Sequence, residues 1–310
     1  MEPVPDDEPS RRAGSADTTA ITVKARTQRQ LITRRFLAHR LAVASLVVFL
    51  GLIAFFFVGE AVWKFDYDRI AGPPSRRPGG EHPFGTDSAG FDVLALVLYG
   101  GKKSLQIALT VAFVSTTVGT LVGALAGYYR GWIEAFLMRI TDLFLVLPYL
   151  AIVALFTEKV SREYKSNWLL LALALALFGW MAIARIVRAE FLSLREREFV
   201  EAARALGASN RRIIVRHMLP NALGPIIVAA TLTVAVAILA ETSLSFVNLG
   251  ISKPEVSLGS LISENQGAFQ QRPWLFYYPA LFIVLIAVTI NFVGDGLRDA
   301  FDPKQTRVRA

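Results

Sequence analysis

The chain has 310 residues, of which 54% are hydrophobic and 19% are charged, and it contains no cysteine. Soluble domains average about 25% charged residues, so the composition excludes an ordinary globular enzyme, a disordered chain and a disulfide-rich secreted scaffold. A bilayer core is crossed by about 20 apolar helical residues. We therefore predict an all-α, polytopic membrane protein with six transmembrane helices, because uncharged runs of 15 to 26 residues occur at 41–59, 104–129, 143–157, 166–184, 219–240 and 273–294.

The basic residues predict how the chain is oriented in the membrane. Lys plus Arg is 33 and Asp plus Glu is 25, which gives a net charge of +8. With both termini in the cytoplasm, 22 Lys and Arg residues fall in cytoplasmic segments and 9 fall in outer loops. This excess inside is the charge bias of multi-pass membrane proteins, so the positive charge indicates topology and argues against nucleic-acid binding.

The first hundred residues combine a tail, a span and an outer segment. Residues 1–39 form a predicted cytoplasmic tail that is polar, and we expect the first apolar run, at about 40–59, to be a retained span and not a cleavable signal peptide. The rest of the unit 40–100 lies outside the membrane. Its apolar end, 92–99, has the composition of a short interfacial helix.

The other five spans form a predicted core at 101–296, and a cytoplasmic tail follows at 297–310. Gly119, Gly123 and Gly127 in the second span make a small-xxx-small pattern that allows close helix packing. Pro148 in the third span lacks an amide proton and predicts a kink. The predicted spans are 104–130, 133–157, 166–185, 221–245 and 276–295, with a long cytoplasmic loop at 186–220.

This cytoplasmic loop contains a predicted amphipathic helix. Four residues spaced at i, i+3, i+4 and i+7 form one apolar face, a pattern typical of a helix. A small apolar face of this kind suits docking into a groove on a partner protein. The alternative is a solvated connector. The four residues are Phe199, Ala202, Ala203 and Leu206.

A turn and a second helix complete the loop. Gly207 stands where a C′ glycine ends a helix. Ser209 or Asn210 can cap the next helix, and Leu219-Pro220 is expected to end it before the fifth span. The loop therefore predicts a helix–turn–helix elbow that projects from the membrane.

Two carboxylates lie well inside predicted spans, where charged groups are costly and functional candidates by default. Asp142 is expected to form an ion pair with Arg139, three residues earlier on the same helix face. The alternative is that Asp142 lines the transport pathway. Glu241 could line an outer gate or meet the amino end of a substrate. It could equally snorkel outward or bond a neighbouring helix. We expect Glu241→Lys to impair transport without affecting assembly.

Catalytic chemistry is missing from the sequence. It has no G-x-x-x-x-G-K-[ST] phosphate loop, and the three histidines have no metal-ligand spacing. We expect no catalytic residue, metal site or cofactor in this chain. Energy for transport would come from partner ATPase subunits or from an ion gradient.

Three segments resemble one family. Glu201-Ala202-Ala203, Gly207 and Leu219-Pro220 resemble the EAA loop of bacterial ABC-importer permeases. The stretch 82–100 and the stretch 291–303 resemble two segments of the C-type permeases of dipeptide and oligopeptide importers. Phe91 stands where that family usually has arginine, whereas His217 is similar to the peptide-transporter branch.

The resemblance implies a type I importer permease in the bacterial plasma membrane. It also implies a homologous second permease as heterodimer partner, two cytoplasmic ATPase subunits that bind ATP and Mg²⁺, and an extracytoplasmic binding protein that delivers peptides. The elbow would then be the ATPase-coupling loop in an alternating-access cycle. Alternatives are another cargo, such as nickel or glutathione, an ion-coupled secondary transporter, or a membrane-embedded enzyme.

Overall fold

The computed structural model describes residues 28–159 and 167–301, so the first tail up to residue 27, the outer turn at 160–166 and the C-terminal stretch 302–310 lie outside the description. The regular secondary structure of the described residues is helical, with only isolated β-bridges between the helices. The helices are α1 (Gln28–Ala38), α2 (Arg40–Val62), α3 (Val93–Tyr129), α4 (Gly131–Val146), α5 (Tyr149–Lys159), α6 (Trp168–Leu177), α7 (Met181–Arg195), α8 (Glu198–Ala205), α9 (Asn210–Phe246), α10 (Leu258–Asn265) and α11 (Trp274–Phe301).

Four helices are long and apolar enough to cross a membrane alone, namely α2, α3, α9 and α11. Two bent pairs, α4 with α5 and α6 with α7, bring the number to six if each pair is one span. The all-α, six-span prediction is therefore confirmed. Helix α3 packs along α7 and α9, and α11 packs along α9 and α2.

The second span begins earlier than expected. Residues 92–99 do not form a separate interfacial helix, because α3 runs without a break from Val93 to Tyr129. Asp92 caps it by accepting a hydrogen bond from the Ala95 amide at 2.8 Å. The first turns of α3 are buried by the rest of the protein, which explains why their apolar sequence resembled an interfacial segment.

Proline breaks the third span, as predicted, but far more sharply than a kink. Helices α4 and α5 meet at Pro148 with a bend of 80°. The fourth span is also interrupted, with a bend of 47° between α6 and α7. At this break the carbonyl oxygens of Leu175 and Ala176 accept backbone hydrogen bonds from Phe178 and Gly179. Each also accepts a hydrogen bond from a hydroxyl at 3.3 Å, from Tyr149 and Ser115 respectively.

The glycines of α3 pack closely against α7, as their spacing predicted. A Cβ at Gly119 would lie 2.7 Å from the Trp180 carbonyl oxygen, and one at Gly127 would lie 2.6 Å from Cβ of Phe191. Gly123 meets the Ala184 carbonyl even more closely. These contacts leave no room for a side chain, so the two backbones can approach only through glycine.

The second helix of the loop does not end at Leu219-Pro220, contrary to expectation. Helix α9 continues through the proline into the membrane, after a π-helical stretch at Ile213–Met218. The wider π turn accommodates the missing proline amide. The Asn221 side chain also donates to the His217 carbonyl oxygen at 2.6 Å. The fifth span and the second limb of the elbow are therefore one helix.

Candidate functional site: the cytoplasmic elbow and the buried carboxylates

The elbow is built from the end of α7, the short helix α8 and the start of α9. Helix α7 continues to Arg195, so the first part of the loop at 186–220 extends the fourth span. Gly207 follows α8 with a φ of +75°, the left-handed conformation expected of a C′ glycine. Ser209 caps α9 by accepting a hydrogen bond from the Arg212 amide at 3.4 Å. The helix–turn–helix prediction is confirmed in these respects.

The predicted apolar face of α8 divides into two sets. Ala203 turns inward and packs with Val200, which the sequence analysis did not select. The side chain of Leu206 is 88% exposed and that of Phe199 is 40% exposed. Ala202 is also exposed. The elbow is therefore anchored on its inner side and presents an uncovered apolar surface on its outer side.

Asp142 does not pair with Arg139, which corrects the expectation from helix spacing. Its carboxylate forms an ion pair with Arg185 on α7. A second bridge of the same kind joins Glu134 to Arg188, whose Nε lies 2.7 Å from the carboxylate oxygen. Both arginines come from the neighbouring span, because the bend between α6 and α7 brings α7 beside α4. Sequence spacing within one helix could not reveal these partners.

Glu241 lies in a closed site within this subunit. The residue is 1% exposed and accepts hydrogen bonds from the hydroxyls of Ser257 at 2.6 Å, Ser245 at 2.8 Å and Ser104 at 3.3 Å. The Leu258 amide donates to the Ser104 hydroxyl at 3.1 Å, which orients that hydroxyl toward the carboxylate. Of the alternatives, the structure shows the bond to neighbouring elements rather than an exposed gate residue.

The carboxylate network joins three parts of the chain. Ser104 lies on α3, Glu241 lies on α9, and Ser257 caps α10. The N-terminus of α10 points toward the carboxylate, and a Cβ at Gly259 would lie 3.2 Å from both carboxylate oxygens. A helix N-terminus favours negative charge. The network therefore fixes α10 to the outer halves of two spans.

The extracytoplasmic segment contains a buried histidine–aspartate hydrogen bond that sequence reasoning missed. His82 Nδ1 lies 2.7 Å from Asp92, the capping residue of α3, and the Trp63 indole also donates to Asp92 at 3.0 Å. On the surface of the same segment, the Lys64 ammonium holds the pKa of the Glu81 carboxyl below its usual value. The buried pair lies far from the elbow in the fold and fixes the start of α3.

A cavity of about 370 Å³ lies where the two broken spans meet α9. Tyr149 and Phe178 contribute from the breaks, and Thr233 and Val236 contribute from α9. Its lining is almost entirely apolar. Within residues 28–159 and 167–301, no group of three or more His, Asp or Glu side chains is placed to hold a metal ion.

Two family descriptions match the chain. Residues 119–307 match the family described as binding-protein-dependent transport system inner membrane component. Residues 27–78 match the N-terminal transmembrane domain of oligopeptide transport permease C. The two matches together include the elbow, the first span, and Glu241 and Ser257 of the carboxylate network.

Curated relatives are similar over nearly their whole length. The chain is 44% identical over 283 residues to the oligopeptide transport system permease protein OppC of Mycobacterium tuberculosis H37Rv, which covers 91% of this chain and 97% of that protein. The OppC protein of Escherichia coli K12 is 40% identical, with 92% and 94% covered. A putative peptide permease protein of Brucella suis is 37% identical, with 87% and 89% covered.

A solved structure shares the fold. A chain from the inward-facing MetNI methionine ABC transporter superimposes with a TM-score of 0.54 at 21% identity. The match covers 67% of this chain and 96% of that chain. The similarity in fold therefore extends over nearly the whole length of a chain from a known ABC transporter.

Proposed function

Because this chain belongs to the family of binding-protein-dependent transport system inner membrane components, we propose that it is the permease subunit of an ATP-driven importer of di- and oligopeptides. The relatives that match over about nine-tenths of this chain are oligopeptide transport permeases by name, which supports a peptide cargo. The chain is a non-catalytic membrane subunit with a type I importer fold. ATP and Mg²⁺ are bound by separate ATPase subunits.

The uncovered face of α8 is the observation that carries this assignment. Full burial of a leucine or phenylalanine side chain stabilises by about 1.5–3 kcal/mol relative to exposure. Leu206 and Phe199 are exposed on the cytoplasmic elbow, whereas Val200 and Ala203 hold the elbow to the permease. An ATPase groove that covers Phe199, Ala202 and Leu206 would recover this energy. The docked elbow, including Glu201 and Gly207, would then move with the ATPase subunits.

A second, homologous permease completes the proposed assembly. Non-helical backbone at membrane depth is tolerated only where protein covers it or where it faces water. The breaks near Leu147 and Phe178 lie at the cavity face, and Leu147 is 41% exposed. This exposure supports a partner subunit or an aqueous pathway on that face rather than lipid. A binding protein delivers the peptide from outside a bacterial plasma membrane.

Alternating access follows from these parts. Closure of the ATPase subunits on ATP would move the elbow, and the spans attached to it would rock and open the pathway outward to the binding protein. Broken helices also occur in ion-coupled transporters. The family match and the uncovered elbow favour ATP-driven transport, because the elbow offers an apolar surface to which a cytoplasmic ATPase subunit can bind.

The proposal is tested by co-expressing the permease with its candidate partners and measuring ATPase co-purification and peptide uptake in proteoliposomes. We expect Leu206→Asp to abolish co-purification of the ATPase subunits and ATP-dependent uptake. Ile70→Asp is the matched control for co-purification, because Ile70 is 71% exposed on the opposite side. Normal ATPase binding and uptake with Leu206→Asp would refute the docking role of the elbow. A wild-type complex that imports no peptide would refute the proposed cargo.

A further inference from the structure

Tyr128, at the inner end of α3, is bonded to both ends of the elbow. Its hydroxyl donates to Asn210 Oδ1 at 2.7 Å, and its carbonyl oxygen accepts from Arg195 Nη1 at 2.8 Å. Arg195 is the last residue of α7, and Asn210 is the first residue of α9. One residue of the second span therefore holds the point where the chain leaves the membrane and the point where it returns.

The Tyr128 ring is fixed by packing as well as by hydrogen bonds. The residue is 5% exposed and belongs to an apolar cluster that includes Phe191, Val200 and Met218. A tyrosine has few rotatable bonds, and its buried hydroxyl requires a partner. Because Val200 lies on α8, the same cluster contains the anchored side of the docking helix. The anchored side of the docking helix and the end of α3 are therefore packed into one cluster.

Helix α3 can carry this displacement across the membrane. It has 37 residues without a break, so it is about 55 Å long at a rise of 1.5 Å per residue. Near its outer end, Ser104 bonds both Glu241 and the Leu258 amide at the start of α10. The third and fourth spans, by contrast, are bent by 80° and 47°. Helix α3 is therefore a continuous connection between the elbow and the extracytoplasmic segment.

We propose that Tyr128 is a positioning residue that transmits movement of the elbow to α3, through its hydrogen bonds to Asn210 and Arg195. This proposal rests on the proposed function of the elbow as the ATPase-docking element. It assigns to Tyr128 a role in coupling and not in docking, since the side chain is buried and cannot touch an ATPase. Loss of its hydroxyl should leave the docked complex intact and reduce transport per ATP hydrolysed.

The test compares Tyr128→Phe with Tyr129→Phe in the complete complex reconstituted in proteoliposomes. Tyr129 is the matched control, because it is 43% exposed and its hydroxyl forms no hydrogen bond with any described residue. The readout is peptide imported per ATP hydrolysed. The net free energy of one neutral hydrogen bond corresponds to a change of about two- to tenfold in an equilibrium constant. We expect the ratio to fall by that factor in Tyr128→Phe and to remain at the wild-type value in Tyr129→Phe.

Variants of the acceptor separate this role from general stability. Asn210→Ala should lower the ratio as Tyr128→Phe does, and the double variant should be no worse than either single variant. Asn210→Asp keeps an acceptor oxygen and should retain the ratio.

If Tyr128→Phe imports as much peptide per ATP hydrolysed as the wild type, the proposal for Tyr128 is refuted. Peptide import by the wild-type complex would still support the proposed function. Loss of the ATPase subunits from the Tyr128→Phe complex would also overturn the proposal for Tyr128, because the hydroxyl would then shape the docking surface. Additive losses in the double variant would show that Tyr128 and Asn210 act separately, which contradicts transmission through their bond. Absence of import by the wild-type complex would refute the proposed function itself.

Discussion

Replacing Glu241 with lysine should destabilise this permease as well as impair transport. The carboxylate accepts from Ser104, Ser245 and Ser257, and the residue is 1% exposed. A lysine ammonium would have only neutral hydroxyls as acceptors, and its positive charge would lie beside the positive end of the α10 helix dipole. The closeness of Gly259 to the carboxylate leaves little space for a longer side chain. The expectation that Glu241→Lys leaves assembly unaffected is therefore replaced by a stability defect.

The size of the defect can be ranked among three substitutions. A typical hydrogen bond contributes about 0.5–1.5 kcal/mol, and an uncompensated buried charge costs about 3–5 kcal/mol. Glu241→Gln keeps the shape and one acceptor oxygen, so we expect the smallest loss. Glu241→Ala removes all acceptors, and Glu241→Lys adds a buried charge. Ser243→Ala is the control, because this exposed serine on the same helix bonds only the Leu239 carbonyl.

The assay is thermal unfolding of the detergent-purified protein, followed by size-exclusion chromatography after heating. About 1 kcal/mol corresponds to about 2–4 °C in proteins of 150–250 residues, so the lysine variant should lose several degrees at least. Uptake per correctly folded complex should then be measured for the glutamine variant, which retains the fold best. A lysine variant with the melting temperature of Ser243→Ala would refute the network, since the site would then be open to water.

Three further predictions concern the elbow and the helix contacts. Gly207→Ala should lower ATP-linked peptide uptake, and the bulky Gly207→Trp should uncouple hydrolysis from transport. Open space surrounds Gly207, but a non-glycine residue at its φ of +75° costs about 1–2 kcal/mol. Measurements of peptide uptake and ATPase activity check both variants. Gly123→Leu should separate α3 from α7 and cost at least about 1–3 kcal/mol in a melting experiment, whereas Gly51→Leu, which has no neighbour within 4 Å, should be tolerated. Arg185→Ala should lower stability, because it leaves the Asp142 carboxylate inside the third span without its ion-pair partner, and a charge-swapped double variant should restore any loss in the same assay.

For helix α8, the sequence predicts the helix and the turn after it but not which of its apolar residues are buried. Its apolar spacing and the glycine after it predict a helix and a turn, because both depend on residues within one or two turns of each other. Which apolar residues face inward depends on the protein around the helix. Ala203 contacts a cluster formed by α3, α7 and α9, while Leu206 does not. The apolar periodicity therefore predicts the apolar face of α8, but it does not predict which residues of that face pack against the permease and which are exposed.

The same distinction explains the corrected positions. Pro220 is a helix terminator in isolation, yet the π-helical stretch before it and the Asn221 side chain allow α9 to continue. Asp142 has Arg139 within reach on its own helix, but the bent fourth span brings Arg185 closer. Each outcome depends on an element distant in sequence. Local rules describe what a residue favours, and packing decides which favourable partner it meets.

The sequence by itself determined that this protein crosses a membrane six times with an elbow in the cytoplasm, because hydrophobic run length, charge bias and turn chemistry are local properties. Only the tertiary structure decided that Glu241 is enclosed by serines and that Tyr128 joins both ends of the elbow. Ser104 and Ser257 lie on opposite sides of Glu241 in sequence, and Asn210 is far from Tyr128 along the chain. These hydrogen bonds form only when separate helices are packed together, since no periodicity within one helix encodes them.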